Sequence, residues 1–223
     1  MAASGWLMLA GRGDGHSVLV LPGLFSTDVH TSLLRTFLRA QGFDPHPWGG
    51  GLNLGRWNSK EELVLPAIRT LNDRAGAPVS VIGASMGGVF AREAARRARD
   101  RVRSVITLCS PVSGPHRANH VWPWFELLSG QPAESASAPP PPVPSTSIYS
   151  RSDGVLAWQS CVQPESPMTE NIEIDAGHLG MAWHPLALYV IADRLAQPAG
   201  LWNRFLPAWP SSGCAVQSLV GAI

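Results

Sequence analysis

The chain has 223 residues, 45% of them apolar and 15% charged, with a formal net charge of +1. These numbers suit one globular domain with a sizeable core and exclude a disordered chain. Basic and acidic residues nearly balance and are scattered, which excludes a nucleic-acid surface.

The opening MAASGWLMLAGRGDG lacks a basic n-region, and its apolar stretch is short for a signal peptide. No run reaches the length of a membrane span, so the expected setting is reducing and cytoplasmic. Arg12-Gly13-Asp14, beside Gly15, reads as a polar turn. Residues 17–21, SVLVL, form a buried strand stopped by Pro22-Gly23. Residues 29–41 place Leu33, Leu34, Phe37 and Leu38 on one helical face, and Gly42 ends that helix. A brief extended segment near Asp44–Trp48 runs into GGGLNLG. This stretch lacks the lysine of a phosphate loop and reads as a turn facing the active site. A helix over 60–75 follows, with Ser59 as N-cap and Glu62 completing a capping box.

Strand 79–82, helix 86–99 and strand 102–108 continue the alternation. Arg92, Arg96, Arg97 and Arg99 have helical spacing and read as a solvated face. Residues 111–144 break the rhythm as a lid-like excursion that ends in a proline-rich surface connection. Strand 146–150, strand 171–175 and helix 184–196 complete the pattern. The tail 197–223 is apolar without clear periodicity, which leaves docking and disorder both open. Cys109, Cys161 and Cys214 are odd in number and far apart, so no disulfide framework or metal spacing emerges. Cys109, in VITLC, reads as a small buried hydrophobe.

Alternating strands and helices predict a single α/β domain over 1–223. Its sheet is mostly parallel, with about six strands and helices on both faces. Functional loops then gather at the carboxyl ends of the strands. That rule brings Pro22–Ser26, Gly49–Asn58, Ser85, Ser110–Ser129, Ser152–Asp153 and Ala176–His178 to one rim.

Gly83-Ala84-Ser85-Met86-Gly87 alone is a weak signal. With 22 glycines in the chain, such a pentapeptide arises by chance in roughly one shuffled sequence in five. Its setting between a strand and a helix is that of a nucleophile elbow, where small neighbours tolerate a strained serine. A serine hydroxyl needs a base, and the base needs an orienting group. His178, after the last strand in DAGHLG, is the candidate base. His184 reads as structural. His116 and His120 are surface residues or substrate contacts, and His16, His30 and His46 carry no partner signal. The acid is Asp153, from the chain order Ser…Asp…His, with Asp175 as the rival. Oxyanion donors are the N–H of Met86 and that of Leu24, or alternatively Phe25.

LVLPGLFSTD, VIGASMGG, SRSDGVLAW and DAGHLG, in that order, resemble the α/β-hydrolase superfamily of serine esterases and lipases. The resemblance spans about Ser17 to Leu195. It implies nucleophile Ser85, acid Asp153, base His178 and oxyanion donors Leu24 and Met86. Many members carry His-Gly where this chain has Pro22-Gly23. The first two strands of the full family sheet are missing ahead of Ser17, and the cap shrinks to residues 111–140. The implied form is compact, like small bacterial lipases.

The expected activity is hydrolysis of small to medium, apolar acyl or aryl esters through an acyl-enzyme, with no metal or cofactor. Phe25, Trp122, Trp124 and Phe125 are the expected substrate contacts. Trp48, Leu52, Leu54 and Trp57 also lie on the rim loops, and about half of the tryptophans there are expected to cover the core. The expected partner is a small-molecule ester, not a nucleic acid. A thioesterase or amidase would use the same triad, and a non-catalytic binding protein is the alternative from another class.

Overall fold

All five residues of β1 (Ser17–Leu21) are buried, and their side chains alternate between two apolar clusters. Val18 and Val20 belong to one cluster, with Leu34, Leu38 and Ile191. Leu19 and Leu21 belong to the other, with Ile68, Phe90 and Ala94. A strand apolar on both faces requires cover on both faces, and this places β1 inside a layered α/β sandwich. The structure, a computed structural model, describes residues 10–55, 57–113, 139–206 and 214–216.

After β1 come α1 (Ser32–Ala40), β2 (Asp44–Pro47), α2 (Trp57–Ala75), β3 (Val79–Ala84), α3 (Met86–Arg97) and β4 (Val102–Leu108). Then follow β5 (Ser145–Tyr149), the single turn α4 (Trp158–Cys161), β6 (Thr169–Ile174), α5 (Pro185–Leu195) and β7 (Cys214–Val216). The sheet order is β2-β1-β3-β4-β5-β6-β7. The first six strands are parallel, and β7 pairs antiparallel with β6. The chain thus winds outward in both directions from β1 and β3, and the loops after β1, β3, β4, β5 and β6 open on one edge. No helix among the described residues is long and apolar enough to cross a membrane.

Several details differ from the sequence expectation. α1 starts at Ser32, and Leu33 is 52% exposed while Leu34 and Leu38 carry the burial. α2 starts at Trp57, so Ser59 lies inside the helix rather than capping it. Arg92 does not share the solvated face. It is 2% exposed, donates to Gln163 Oε1 at 2.6 Å, and burial lowers its pKa to about 10. The tail docks in part. Glu170 Oε2 accepts the Phe205 N–H at 2.8 Å, and the Phe205 ring joins the core cluster. β7 adds the seventh strand. Most of the lid-like excursion, residues 114–138, lies outside the described residues, as do His116 and His120. The proline-rich connection re-enters with Val143 buried, and the Pro144 carbonyl accepts the Val105 N–H at 2.9 Å.

Candidate active site

β3 ends at Ala84 and α3 begins at Met86, so Ser85 alone makes the turn. Its backbone lies at φ 49°, ψ −120°, a conformation costly for any residue with a side chain. The Ser85 N–H donates to Leu108 O at 2.8 Å, and its carbonyl accepts the Gly88 N–H at 3.0 Å. The turn is tight enough that a methyl on Gly83 would overlap the backbone of Gly87, and one on Gly87 would overlap the Leu21 and Pro22 carbonyls. Glycine at 83 and 87 is therefore a steric requirement of this elbow.

The loop after β1 folds against this turn. A Cβ on Gly23 would lie 3.2 Å from Ser85 Cβ. In LPGLF the Phe25 N–H is already donated to Asn53 O at 2.8 Å. Phe25 is therefore unavailable as an anion donor, and Leu24 retains an N–H with no partner among the described residues. Met86, first in α3, has no intrahelical acceptor for its N–H, and the positive end of that helix lies at the same place.

His178 Nδ1 lies 2.7 Å from Asp153 Oδ2, and the His178 N–H donates to Asp153 O at 3.2 Å. The other carboxylate oxygen, Oδ1, accepts the N–H groups of Val155 and Leu156 at 2.9 and 2.7 Å. Ser150 Oγ ties the two loops together by accepting the N–H groups of Ser152 and Ala176, each at 3.1 Å. Burial alone would raise the Asp153 carboxyl. The hydrogen bonds from His178 and the Leu156 N–H, with the Cys109 thiol, outweigh it and hold the carboxyl below its ordinary value. Asp175 is exposed; it is Asp153 that meets the ring. His184 stands at the N-terminus of α5.

Cys109, treated above as a simple core residue, sits beside this pair. Its Sγ, a carboxylate oxygen of Asp153 and a ring nitrogen of His178 lie within 4.8 Å of one another. Its backbone has φ 44°, and burial first, then Asp153, pushes its thiol far above the usual range. These three side chains carry ligand atoms for a cation. However, the 2.7 Å between Nδ1 and Oδ2 is the spacing of a shared proton. It is shorter than the gap between two ligands each about 2.0–2.2 Å from one metal ion.

Ser85 and His178 both line a cavity of about 310 Å³. Its walls come from the loops after β1, β3, β4, β5 and β6, and they are chiefly apolar: Leu24, Phe25, Leu156, Met181 and Trp183. Of the expected substrate contacts, Phe25 lines this cavity. Trp122, Trp124 and Phe125 lie outside the described residues, as does the side chain of Trp57. Trp48 is buried in the core, and Leu52 and Leu54 are exposed away from the cavity. Val155, Leu156, Leu179, Met181 and Trp183 were missed as wall residues. The signal for them was the run of apolar residues directly after Asp153 and His178, in DGVLAW and GHLGMAW. His30 also lines the cavity.

A second constellation of the same residue types lies at the opposite end of the sheet. His16 Nδ1 is 2.5 Å from Asp14 Oδ1, and Nε2 is 3.1 Å from Ser80 Oγ. Ser80 is 1% exposed within β3 and lines no described cavity, so this triplet is a structural bond across strands. Asp14 of the Arg-Gly-Asp turn is occupied here and by Arg103, at 3.1 Å.

No family profile matches the chain, and no curated protein matches its sequence. Solved structures do match its shape. A lipase B from Aspergillus fumigatus aligns with TM-score 0.62 and 20% identity, covering 84% of this chain and 55% of that one. The chain thus spans about half the length of that lipase. A pyrethroid hydrolase from Sphingobium faniae JZ-2 aligns with TM-score 0.58 and 17% identity over 82% and 98% of the two chains. A methylesterase from Arabidopsis aligns with TM-score 0.57 and 16% identity over 79% and 96%. With the strand order, the parallel sheet and the strained turn after β3, these likenesses show that the chain has the α/β-hydrolase fold.

Proposed function

We propose that the protein is a serine carboxylic-ester hydrolase working through Ser85, His178 and Asp153. The observation that carries this reading is a single cavity. It is walled by the strained Ser85 and by His178, whose Nδ1 is held by Asp153. In the proposed reaction His178 takes the Ser85 proton as Oγ attacks the ester carbonyl carbon. The Leu24 and Met86 N–H groups receive the oxyanion. Collapse breaks the bond to the alkoxy oxygen, and His178 returns the proton to the leaving alcohol. Water, activated by the same ring, then releases the acid from the acyl-enzyme. Asp153 fixes the tautomer with the proton on Nδ1, leaving Nε2 as the base.

The cavity volume and its apolar walls support small to medium, apolar acyl or aryl esters as substrates. The names of the matched structures, a methylesterase, a pyrethroid hydrolase and a lipase, are in keeping with this class. A fluorophosphonate probe should label the folded protein once, on Ser85, and Ser85→Ala should abolish turnover of p-nitrophenyl esters. Comparable turnover by wild type and Ser85→Ala would end this reading.

A further inference from the structure

Asn53 is fully buried in the middle of GGGLNLG, a stretch otherwise built of glycine and leucine. Its side chain donates from Nδ2 to the Pro22 carbonyl at 2.8 Å and accepts at Oδ1 from the Gly55 N–H at 2.9 Å. Its backbone accepts the Phe25 N–H at 2.8 Å and donates to Ser26 O at 2.9 Å. Three of these four hydrogen bonds bracket Pro22-Gly23-Leu24-Phe25-Ser26 at both ends, and the fourth, to Gly55, holds Asn53 in its own loop. Phe25 is held at φ 56°, and its N–H is consumed. The Leu24 N–H, next to it, has no hydrogen-bond partner among the described residues.

From this geometry we propose that Asn53 is a positioning residue for the reaction, because it determines which N–H of the β1 loop is presented to the oxyanion. This rests on the reading of Ser85 as the nucleophile. The residue type follows from the chemistry. One short side chain must supply a donor to a carbonyl and an acceptor to an N–H at a fully buried position. Aspartate offers only acceptors and would face the Pro22 carbonyl with negative charge. Alanine would leave both loop groups unpaired. In either variant the loop relaxes, and the donor is lost where charge develops rather than where the substrate binds.

The test uses the whole protein with a trifluoromethyl ketone matched to a turned-over ester. This probe forms a hemiketal oxyanion on the nucleophilic serine. In the wild type, the Leu24 amide proton should move strongly downfield on binding while the Phe25 amide stays in place. In Asn53→Asp and Asn53→Ala, kcat should fall about 100-fold with KM within about 2-fold. The ketone should weaken in proportion to kcat/KM, and a non-reactive alcohol analogue should bind unchanged. A Phe25 rather than Leu24 shift in the wild type overturns the inference even if the variants fail to fold. So do folded variants with wild-type kcat and ketone affinity. A ketone that binds Ser85→Ala as well as wild type removes the nucleophile reading and this inference with it. Loss of binding only in Ser85→Ala, with Asn53 variants unaffected, removes this inference alone.

Discussion

Asp153 and His178 meet twice, once through side chains at 2.7 Å and once through backbone at 3.2 Å. The carboxylate is 1% exposed, and its second oxygen is filled by two N–H groups of its own loop. A carboxylate so enclosed, with the Cys109 thiol also against it, turns its remaining oxygen toward the ring, and this contact orients the imidazole. Cys109 lies against the same pair, and Leu108, its neighbour, holds the Ser85 N–H. The end of β4 therefore braces both halves of the site.

Asp153→Asn keeps the shape of this contact and reverses its chemistry. An amide that donates to Nδ1 leaves the ring proton on Nε2, where the base must be. The expected result is a kcat lower by about 10³–10⁴-fold with little change in KM. Steady-state kinetics on a p-nitrophenyl ester check it. A loss below about 10-fold would mean that Asp175 or another carboxylate serves as the acid.

Leu156 is buried against the cavity, three residues after Asp153. Leu156→Ala removes three carbon atoms from that wall and should shift the preferred acyl chain toward longer esters by one to a few methylenes. Each added buried methylene is worth about 0.8 kcal/mol, or roughly 4-fold in kcat/KM. A chain-length profile from acetate upward, measured beside wild type, gives the answer. An unchanged profile would place the acyl group on another wall.

The central sheet was legible because parallel strands buried on both faces leave unbroken apolar runs such as SVLVL, stopped sharply by Pro22-Gly23. The candidate site residues share a position for a related reason: Ser85, Asp153 and His178 each stand within four residues of the carboxyl end of a strand. The start of α2 misled, since Ser59 and Glu62 satisfy a capping pattern that the helix overruns by two residues. The tail was illegible because a three-residue strand carries no periodicity. Its docking also depends on Glu170, which is remote from it in sequence. Arg92 looked solvated because spacing alone does not reveal the Gln163 that receives it. Asn53 was hidden in a glycine-rich stretch whose polar residue matters only once the two loops are side by side.

His16 offers a pH prediction. Burial is the larger influence and depresses its pKa below 6.5, with Arg103 adding to the effect, although Asp14 pulls the other way. The folded state thus favours the neutral ring more than the unfolded chain does. Its contribution to stability is full above about pH 6.5 and is lost as pH falls through the lower folded value. The depressed Asp14 carboxyl acts with the same sign at still lower pH. Wild-type stability should therefore decline from about pH 6.5 downward, and His16→Gln should flatten the upper part of that decline. Chemical denaturation at pH 7.5, 6.0 and 5.0 reads it, and equal slopes in both proteins would exclude His16 as the source.

The tail clasp is the last case. Glu170 Oε1 meets Arg194 Nη1 at 3.1 Å and accepts the Thr146 hydroxyl at 2.7 Å, while Oε2 receives Phe205. Arg194 also reaches Asn203 O at 2.6 Å, so this pair holds the tail at two points. The Glu170 and Arg194 side chains are 3% and 6% exposed, where an uncompensated charge is costly. Glu170→Ala should lower stability by about 3–5 kcal/mol and expose the chain near Asn203 to proteolysis. Glu170→Gln keeps one acceptor oxygen, enough for either Phe205 or Thr146 but not both, and should cost less than alanine. Glu170 lies at the amino end of β6, while His178 follows its carboxyl end, so kcat/KM of the folded fraction should stay within about 2-fold of wild type. Loss of activity in parallel with release of the tail would show instead that the clasp is transmitted along β6 to the histidine loop.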